Sequence, residues 1–398
     1  VAALAIPDTP SPGLHLIRLD GTPPVYLRPV WITDGPRPAK ALPIGTFADG
    51  ALRLHDVQVD QPSPDHLDIG LDWSAARPVA ANYGLSLSLT DPAGNEWLLQ
   101  GSKPGYDTQP GLGFLPTSLW PEDRLFEDQH RPNLAAGAPP GGAYRLTVDL
   151  YNVTTWQSVG AYTETVAMTQ VPHRSDAPLL APFRGEIDLS SLDVSRTVRQ
   201  GETFRATAYW TTNAPPSHDY TVAWELRGER RIISQTLPLV PGSSPQDWPA
   251  RAWIAGRASI NIPPTTPPGP YTVTLTLLDA QDSAPLGSHV YANPIEIVGR
   301  KRVWELPPMQ RTVDVTFGGM IELAGYDLER DPDQDQLRLT LHWRALGTPD
   351  RHYTFFVHLA DPRTGVPASQ VDGMPHQFTY PTGQWVPGEV VSDQLELS

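Results

Sequence analysis

The sequence predicts an all-β protein built from tandem antiparallel β-sandwich domains, immunoglobulin-like or jelly-roll-like, in three related repeats. Two observations support this fold class. Apolar and polar residues alternate with a period of two between clusters of turn-forming residues, and the chain of 398 residues repeats one pattern three times. A chain of this length can hold several domains that each bury a core of their own.

Proline content is the compositional feature that favours strands over helices. The chain has 45 prolines and 32 glycines, well above the average proline usage of about 5%. Proline breaks helix interiors and suits edge strands, turns and linkers. Between the prolines, the stretch QLRLTLHW places apolar residues on one face of a strand at every second position. This alternation is typical of a half-buried antiparallel strand.

The repeat is visible in three stretches, FADGALRLHDVQV, FRGEIDLSSLDV and FGGMIELAGYDL, each of which begins with Phe and reaches an Asp. A Trp follows each Phe at the end of an alternating run, and the separation differs by only one position among the three copies. The pairs are Phe47 with Trp73, Phe183 with Trp210, and Phe317 with Trp343. The interval between successive tryptophans is a domain length, far above the roughly 20 to 50 residues of a solenoid repeat. We expect these tryptophans to be core residues, because the common fold explains a shared position most simply.

These landmarks divide the chain into domains and linkers. We expect a proline-rich N-terminal arm and linker over 1–46, repeats over 47–170 and 171–298, a linker over 299–316, and a third repeat over 317–398. The joints between repeats read TQVPHRSDAPLLAPF and GRKRVWELPPMQRTVDVTF. Proline-rich linkers are semi-rigid, so we expect the domains to form an extended row.

The third repeat is predicted to be incomplete at its C-terminus. In the first two repeats a Gly-x-Tyr strand follows the second tryptophan at nearly the same interval, from Trp120 to Tyr144 and from Trp248 to Tyr271. The sequence ends at Ser398, before this interval after Trp385 is complete. We therefore expect an open strand edge in the third repeat, and a natural protein that continues beyond Ser398 or has lost this strand by disorder or excision. An open edge favours pairing with another chain.

Charge and composition exclude several classes of function. The net charge of −15 argues against a nucleic-acid partner, which needs a basic surface to neutralise phosphates. It also argues against a polybasic membrane-binding patch. The absence of cysteine excludes disulfides, thiolate metal sites and cysteine nucleophiles. No apolar run approaches the roughly 20 residues of a transmembrane helix, so we expect contact with a membrane only through a segment outside this chain.

The stretch TGQWVPGEVVSD, residues 382–393, places Glu389 and Asp393 near a Pro-Gly turn. Carboxylates four residues apart on one strand are separated by about 13 Å, beyond the roughly 5 to 9.5 Å of a glycosidase pair. We therefore expect no catalytic pair here, and carboxylates that face solvent or a partner. Glu389 remains a candidate ligand contact. In the alignment of the repeats, Glu389 corresponds to Arg124 and Ala252, and Asp393 corresponds to Asp128 and Gly256.

Histidines in the third repeat form the other candidate site. Both faces of HYTFFVHL are apolar, so His358 is predicted to be buried on a central strand. With Gln370 and Asp372 it forms a candidate polar cluster for a sugar or a peptide. No His-x-x-x-His spacing supplies two zinc ligands, so neither a metal nor a cofactor is predicted, and His342, His358 and His376 are the first residues to test if zinc is found. The acidic turn RDPDQDQ lacks the Gly and Glu of a calcium loop.

The third repeat resembles a domain found after the membrane region of large bacterial membrane proteins, notably many-helix glycosyltransferases of the mannosyltransferase-like type. The resemblance is carried by GYDL, LTLHWRA, YTFFVHLAD, SQVDGMP and YPTGQWVPGEVVSD. It is strong over 317–398, fainter over 47–151, and weakest in the middle repeat, where SLDV replaces GYDL. The resemblance implies an extracytoplasmic β-sandwich appendage, periplasmic or on the cell surface and membrane-tethered in the full-length protein, with the glycosyl-transfer chemistry elsewhere.

These observations predict a non-catalytic accessory or binding module of a membrane glycosyltransferase, which positions a glycan acceptor or a cell-envelope protein. The alternative is a free-standing cell-surface carbohydrate-binding or adhesion protein, and a glycoside hydrolase is a remote third. A hydrophobic multi-span segment immediately upstream of Val1 in the gene would favour the first function. A screen on chromogenic glycosides would test the third.

Overall fold

A computed structural model of the chain describes residues 42–397 except for 114–115, 171, 173–177, 184 and 332–335. It also describes the backbone of four short strands ahead of residue 42. These strands pair as β1 (Gly13–His15) with β4 (Val30–Ile32) and β2 (Arg18–Leu19) with β3 (Val25–Tyr26). The rest of the predicted N-terminal arm up to residue 41, and the acidic turn at 332–335, lie outside the described residues.

The described chain is built from β-strands and short 3-10 turns, and contains no α-helix. The strands form mainly antiparallel sheets that pack around three hydrophobic clusters, one for each of three related units. The predicted all-β fold of tandem antiparallel sandwiches is therefore confirmed. Within the described residues, no helix has the length and apolar character needed to cross a bilayer.

The first unit comprises two facing sheets and two 3-10 turns at Pro110–Gly113 and Thr117–Leu119. One sheet has the order β10-β9-β13-β7-β6-β5, with β12 also paired to β7, and the other has the order β11-β8-β14-β15. The strands are β5 (Gly45–Phe47), β6 (Leu52–Ser63), β7 (His66–Ala75), β8 (Tyr83–Thr90), β9 (Leu98–Gln100), β10 (Lys103–Pro104), β11 (Tyr106–Thr108), β12 (Phe126–His130), β13 (Asn133–Leu134), β14 (Gly141–Asn152) and β15 (Ser158–Met168).

The second unit repeats this arrangement, with a 3-10 turn at Pro245–Asp247. One sheet has the order β16-β18-β21, and the other has the order β17-β24-β22-β19-β20 with β23 also paired to β22. The strands are β16 (Ile187–Val194), β17 (Thr197–Arg199), β18 (Thr203–Thr212), β19 (Tyr220–Arg227), β20 (Ile232–Pro238), β21 (Trp253–Asn261), β22 (Gly269–Asp279), β23 (Pro285–Val290) and β24 (Ile295–Val298).

The third unit has one four-stranded sheet, ordered β25-β26-β27-β30, and one hairpin, β28-β29. Its 3-10 turn is Thr382–Gln384. Most of β25 falls inside the predicted linker over 299–316, because the alternating β-branched sequence RTVDVTF pairs with β26 as an edge strand. The strands are β25 (Arg311–Phe317), β26 (Ile321–Asp331), β27 (Gln336–Ala345), β28 (Phe355–Ala360), β29 (Pro367–Gly373) and β30 (Val390–Leu397).

The repeated tryptophans occupy equivalent buried positions, as predicted. Trp73, Trp210 and Trp343 lie near the ends of β7, β18 and β27 and point into the gap between sheets. The second set is also buried, and each member directly follows the 3-10 turn of its unit, with its backbone N–H donating to the first residue of that turn. The TGQW motif of the third unit is therefore a structural turn shared by all three. The second set is Trp120, Trp248 and Trp385.

The Gly-x-Tyr strands of the first two units close each sandwich with a tyrosine hydrogen bond. The Tyr144 hydroxyl on β14 donates to the carbonyl of Pro139 at 2.9 Å, and the Tyr271 hydroxyl on β22 donates to that of Pro267 at 3.0 Å. Burial raises the pKa of both tyrosines. A buried tyrosine that bonds to backbone a few residues upstream also marks the corner of immunoglobulin-type sandwiches.

The first two units contact each other through a polar and aromatic joint. The Arg257 guanidinium of β21 lies 3.7 Å from the ring centroid of Trp97 and donates to the carbonyl of Glu96 at 2.6 Å. The Ala255 N–H donates to the Gly137 carbonyl at 2.8 Å. A guanidinium stacked on tryptophan away from water gives both attraction and a defined geometry, so this joint orients the first unit against the second.

Candidate functional site

Three of the four predicted ligand contacts lie together on the β28-β29 hairpin. His358 is directly opposite Gln370, and Phe356 is opposite Asp372, so His358, Gln370 and Asp372 share one face of the hairpin. All three are exposed. The predicted burial of His358 is wrong, because among the described strands β28 pairs only with β29 and its outward face is open to solvent.

Glu389 lies apart from that hairpin and is buried, with a relative exposure of 1%. Its carboxylate forms an ion pair with Arg302, whose side chain is also buried. The Tyr380 hydroxyl donates to Glu389 Oε1 at 2.5 Å, and the Val386 N–H donates to Oε2 at 3.1 Å. The expectation that this carboxylate faces solvent or a partner is therefore wrong, because Glu389 is the buried counter-ion of an arginine.

Arg302 joins the second unit to the third. In addition to Glu389, its guanidinium donates to the Gln384 carbonyl at 3.2 Å and to the Pro264 carbonyl of the second unit at 3.1 Å. Burial and the hydrogen bond to Glu389 raise the pKa of Tyr380. The Arg300 guanidinium lies 4.8 Å from the centroid of the same tyrosine ring. Because a buried charge is stable only when it is paired and hydrogen-bonded, these contacts fix the orientation of the two units.

Asp393 is also buried, which contradicts the same expectation, and it has a structural role that recurs in the first unit. Its Oδ1 accepts from the His376 N–H at 2.8 Å, and burial raises the pKa of this carboxyl. Asp128, at the aligned position, accepts from the Gly111 N–H at 2.9 Å. Both carboxylates hold the segment that leads towards the 3-10 turn, so this position belongs to the shared fold of these two units.

A cleft of about 630 Å³ opens beside the Arg302–Glu389 pair, between the second and third units. Arg199 comes from the end of β17, and Arg300 and Lys301 come from the connection between the units. The His376 imidazole comes from the segment before the 3-10 turn of the third unit. Arg300 is partly neutralised by Glu202, 2.9 Å away. Arg199 and Lys301 are exposed, and neither forms an ion pair with a described residue. The polar lining residues are Arg199, Arg300, Lys301, His376, Thr379, Tyr380, Glu389 and Ser392.

A hydrogen-bonded chain of Ser392, His342 and Asp327 crosses three adjacent strands of the third unit and reaches the cleft at Ser392. The Ser392 hydroxyl lies 2.9 Å from His342 Nδ1, and His342 Nε2 lies 2.8 Å from Asp327 Oδ2. The hydrogen bond from His342 lowers the pKa of Asp327. The order of groups matches a hydrolase triad, but Ser392 lies inside β30 rather than on the exposed turn that presents a nucleophile.

The same chain of hydrogen bonds fastens the connection to the third unit. Asp327 Oδ1 accepts from the Gln310 N–H at 2.6 Å, and the Gln310 side-chain oxygen accepts from the Leu328 N–H at 3.0 Å. Gly325 allows residues 309–311 to lie close to β26, because a Cβ at this position would overlap the Arg311 carbonyl oxygen. We interpret Asp327 and His342 as residues that hold residues 309–311 against the sheet.

None of the histidines proposed for zinc is part of a group of three metal-ligating side chains among the described residues. His342 is buried and hydrogen-bonded to Ser392 and Asp327. His358 is exposed on β28, and His376 Nε2 lies 3.0 Å from the Ser392 carbonyl oxygen. Sequence reasoning missed Arg302 as the partner of Glu389. The basic run Arg300, Lys301 and Arg302 in a strongly acidic chain was the available signal.

No protein-family model matches the chain, and no curated protein matches it. Among solved structures, it is similar to red sea bream transglutaminase at 10% identity and a TM-score of 0.20, over 63% of this chain and 32% of that one. It is also similar to the native conformation of Escherichia coli alpha-2-macroglobulin at 10% identity and a TM-score of 0.19, over 97% of this chain and 25% of that one. The chain thus spans a third or less of each protein, and neither similarity supports an inference about activity.

We expect Glu389→Gln to lower the free energy of unfolding by about 3 kcal/mol, because it leaves the Arg302 guanidinium buried without a counter-ion. Chemical denaturation measures the loss. Glu396→Gln removes an exposed carboxylate from β30, the strand that directly follows Glu389; it is the matched control and should change stability by less than about 0.5 kcal/mol. The double variant Arg302→Met with Glu389→Leu should recover much of the loss. Equal effects of the two glutamine variants would contradict this role for the pair.

Proposed function

We propose that this chain is a non-catalytic, extracytoplasmic binding module of a membrane glycosyltransferase, and that it positions an acidic glycan or a glycan-bearing partner. The cleft between the second and third units is the observation that carries the proposal. Its exposed cations, Arg199 and Lys301, lie beside the polar groups of Tyr380 and His376. Cationic, aromatic and hydroxyl groups together suit a carboxylated sugar, which offers a negative charge and several hydroxyls.

The charge of the cleft contrasts with that of the whole chain. The net charge is −15, so long-range electrostatics repel acidic polymers from most of the surface, and a local basic cleft favours one place of contact. Glu389 lines the same cleft, but its charge is balanced by Arg302. The uncompensated groups that remain there are basic, which supports an anionic rather than a neutral ligand.

The joint beside the cleft supports a positioning role. The Arg302–Glu389 pair, the Tyr380 hydroxyl and the Pro264 carbonyl connect the two units, and Tyr380 and Glu389 also line the cleft. A ligand that contacts Arg199 on one unit and His376 on the other therefore meets groups already held at a set separation. Groups that are preorganised in this way reduce the entropy lost on binding.

We expect the double variant Arg199→Ala with Lys301→Ala to weaken binding of hexagalacturonate by roughly tenfold, since each exposed ion pair contributes up to about 1 kcal/mol. Isothermal titration calorimetry at low ionic strength measures the change. Lys103→Ala with Arg363→Ala removes the same charge from other exposed sites, and should weaken binding by less than twofold. Similar losses in both double variants, or no binding by the unaltered protein, would contradict an anion-binding cleft.

A second prediction follows from the proposal of a non-catalytic module, and it concerns Ser392. Ser392 lies within a strand, and His342 and Asp327 hold residues 309–311 against the sheet. We therefore expect no covalent labelling of Ser392 by a fluorophosphonate probe that captures activated serines. Intact-mass spectrometry after incubation measures the adduct. Stoichiometric labelling that disappears in Ser392→Ala, with the fold retained by circular dichroism, would contradict the proposal and favour a hydrolase.

A further inference from the structure

A six-residue turn of one geometry joins two strands in each unit: β14 to β15, β22 to β23, and β28 to β29. The backbone N–H of the fifth residue of the turn donates to the carbonyl of the first residue, at 2.8 to 3.0 Å. The Asn or Asp side chain of the first residue accepts from the N–H of the third residue. The fifth residue has a positive φ in all three turns, and it is Trp156, Ser283 or Gly365.

Tryptophan is the unfavourable choice at this position. The φ of Trp156 is +59°, in the left-handed region where glycine is free of strain and a bulky side chain is a conformational outlier. The indole is also 74% exposed, so packing in the core does not offset the strain. Strained residues cluster at ligand-binding and active sites, and the exposed ring of Trp156 is therefore a candidate contact surface.

A second aromatic ring supports the Trp156 indole. Trp156 stacks on Tyr151, with 5.4 Å between the ring centroids and 16° between the ring planes. The Tyr151 ring in turn lies over Gly84, its partner on β8, where a Cβ would overlap the ring. Gly84 therefore lets the tyrosine lie against the sheet. Trp156 and Tyr151 together form an aromatic platform on the outer face of the first unit.

Carboxylate and hydroxyl groups lie on the same face of the sheet as the aromatic platform. Asp149 precedes Tyr151 by two residues on β14, and side chains two residues apart on a strand point the same way. Asp107 on β11 and Asp149 share Ser86 of β8 as their strand partner. Burial and the charges of Asp107 and Asp149 raise the pKa of Tyr151. These carboxylates can accept hydrogen bonds from ligand hydroxyls, and they repel an anion.

The geometry favours a neutral sugar among the ligands that bind to aromatic rings. A pyranose presents C–H groups on its flat faces, which pack on the negative face of an indole, and hydroxyls at its rim, which reach neighbouring acceptors. A quaternary ammonium is instead held in a cage of rings. The rings of Trp156 and Tyr151 are nearly parallel, so they leave one open face and form no cage.

We propose that the aromatic platform is a carbohydrate-binding site, which takes a neutral hexopyranose unit of a glycan. The sugar ring stacks on the exposed face of Trp156, and its hydroxyls donate to the carboxylates of Asp107 and Asp149. This site lies in the first unit and takes an uncharged sugar, so it does not depend on the basic cleft between the second and third units.

The probes are cellohexaose and mannohexaose, two neutral oligosaccharides, added separately to the full chain. We expect at least one of them to bind by isothermal titration calorimetry. Trp156→Gly should weaken that binding by about tenfold or more, as truncation of a tryptophan at a binding site does. Trp156→Ser should give the same loss, because it also removes the stacking surface.

The two variants should fold, because glycine and serine occupy the same position of the turn in the other units. We expect their thermal midpoints to be no lower than that of the unaltered chain, since the strain on the tryptophan is relieved. Trp304→Gly removes another exposed tryptophan, and it should change affinity by less than about twofold. Arg199→Ala with Lys301→Ala should have equally little effect on a neutral sugar, which separates this site from the cleft.

Four results would overturn the proposal. In the first, neither oligosaccharide binds. In the second, the two Trp156 variants weaken binding no more than Trp304→Gly does. In the third, Arg199→Ala with Lys301→Ala abolishes binding of the neutral sugar, which would assign that sugar to the cleft. In the fourth, choline binds in place of the sugars and its binding is lost in Trp156→Gly, which would identify a quaternary ammonium as the ligand. Failure of hexagalacturonate to bind would contradict the proposed function alone.

Discussion

Each unit depends on one aromatic contact, between the phenylalanine that opens it and the tryptophan near the end of its third strand. The ring centroids are 5.2 Å apart for Phe47 and Trp73, 6.4 Å for Phe183 and Trp210, and 5.9 Å for Phe317 and Trp343. The nearly constant separation in sequence therefore reflects a contact in space. Aromatic rings bury a large apolar area in a defined geometry, so this pair sets the register of the strands that carry it.

Polar contacts at the joints then determine how neighbouring units are oriented. Arg257 stacked on Trp97 connects the first two units, and Arg302 paired with Glu389 connects the second and third. Both arginines are held by backbone carbonyls of the neighbouring unit as well. The basic cleft lies beside the second joint, so the contact that orders the units also shapes the surface on which a ligand would be positioned.

The sequence predicts the parts of this fold that depend on local pattern and repetition. Period-two alternation identifies strands such as β27, and comparison of the repeats identifies the buried tryptophans, because neither depends on distant contacts. The position of Glu389 could not be predicted, since its partner Arg302 lies 87 residues earlier in the chain. The apolar neighbours of His358 predict a core position, but burial also requires an adjacent strand on each side, and β28 has one among the described strands.

We propose that this chain contacts its ligand in the basic cleft between the second and third units. Differential hydrogen–deuterium exchange with bound hexagalacturonate tests the location of contact without any substitution. Residues 298–303 and 376–380, which border the cleft from its two sides, should exchange more slowly when the ligand is bound. Protection confined to the first unit, or to the β28-β29 hairpin, would contradict it.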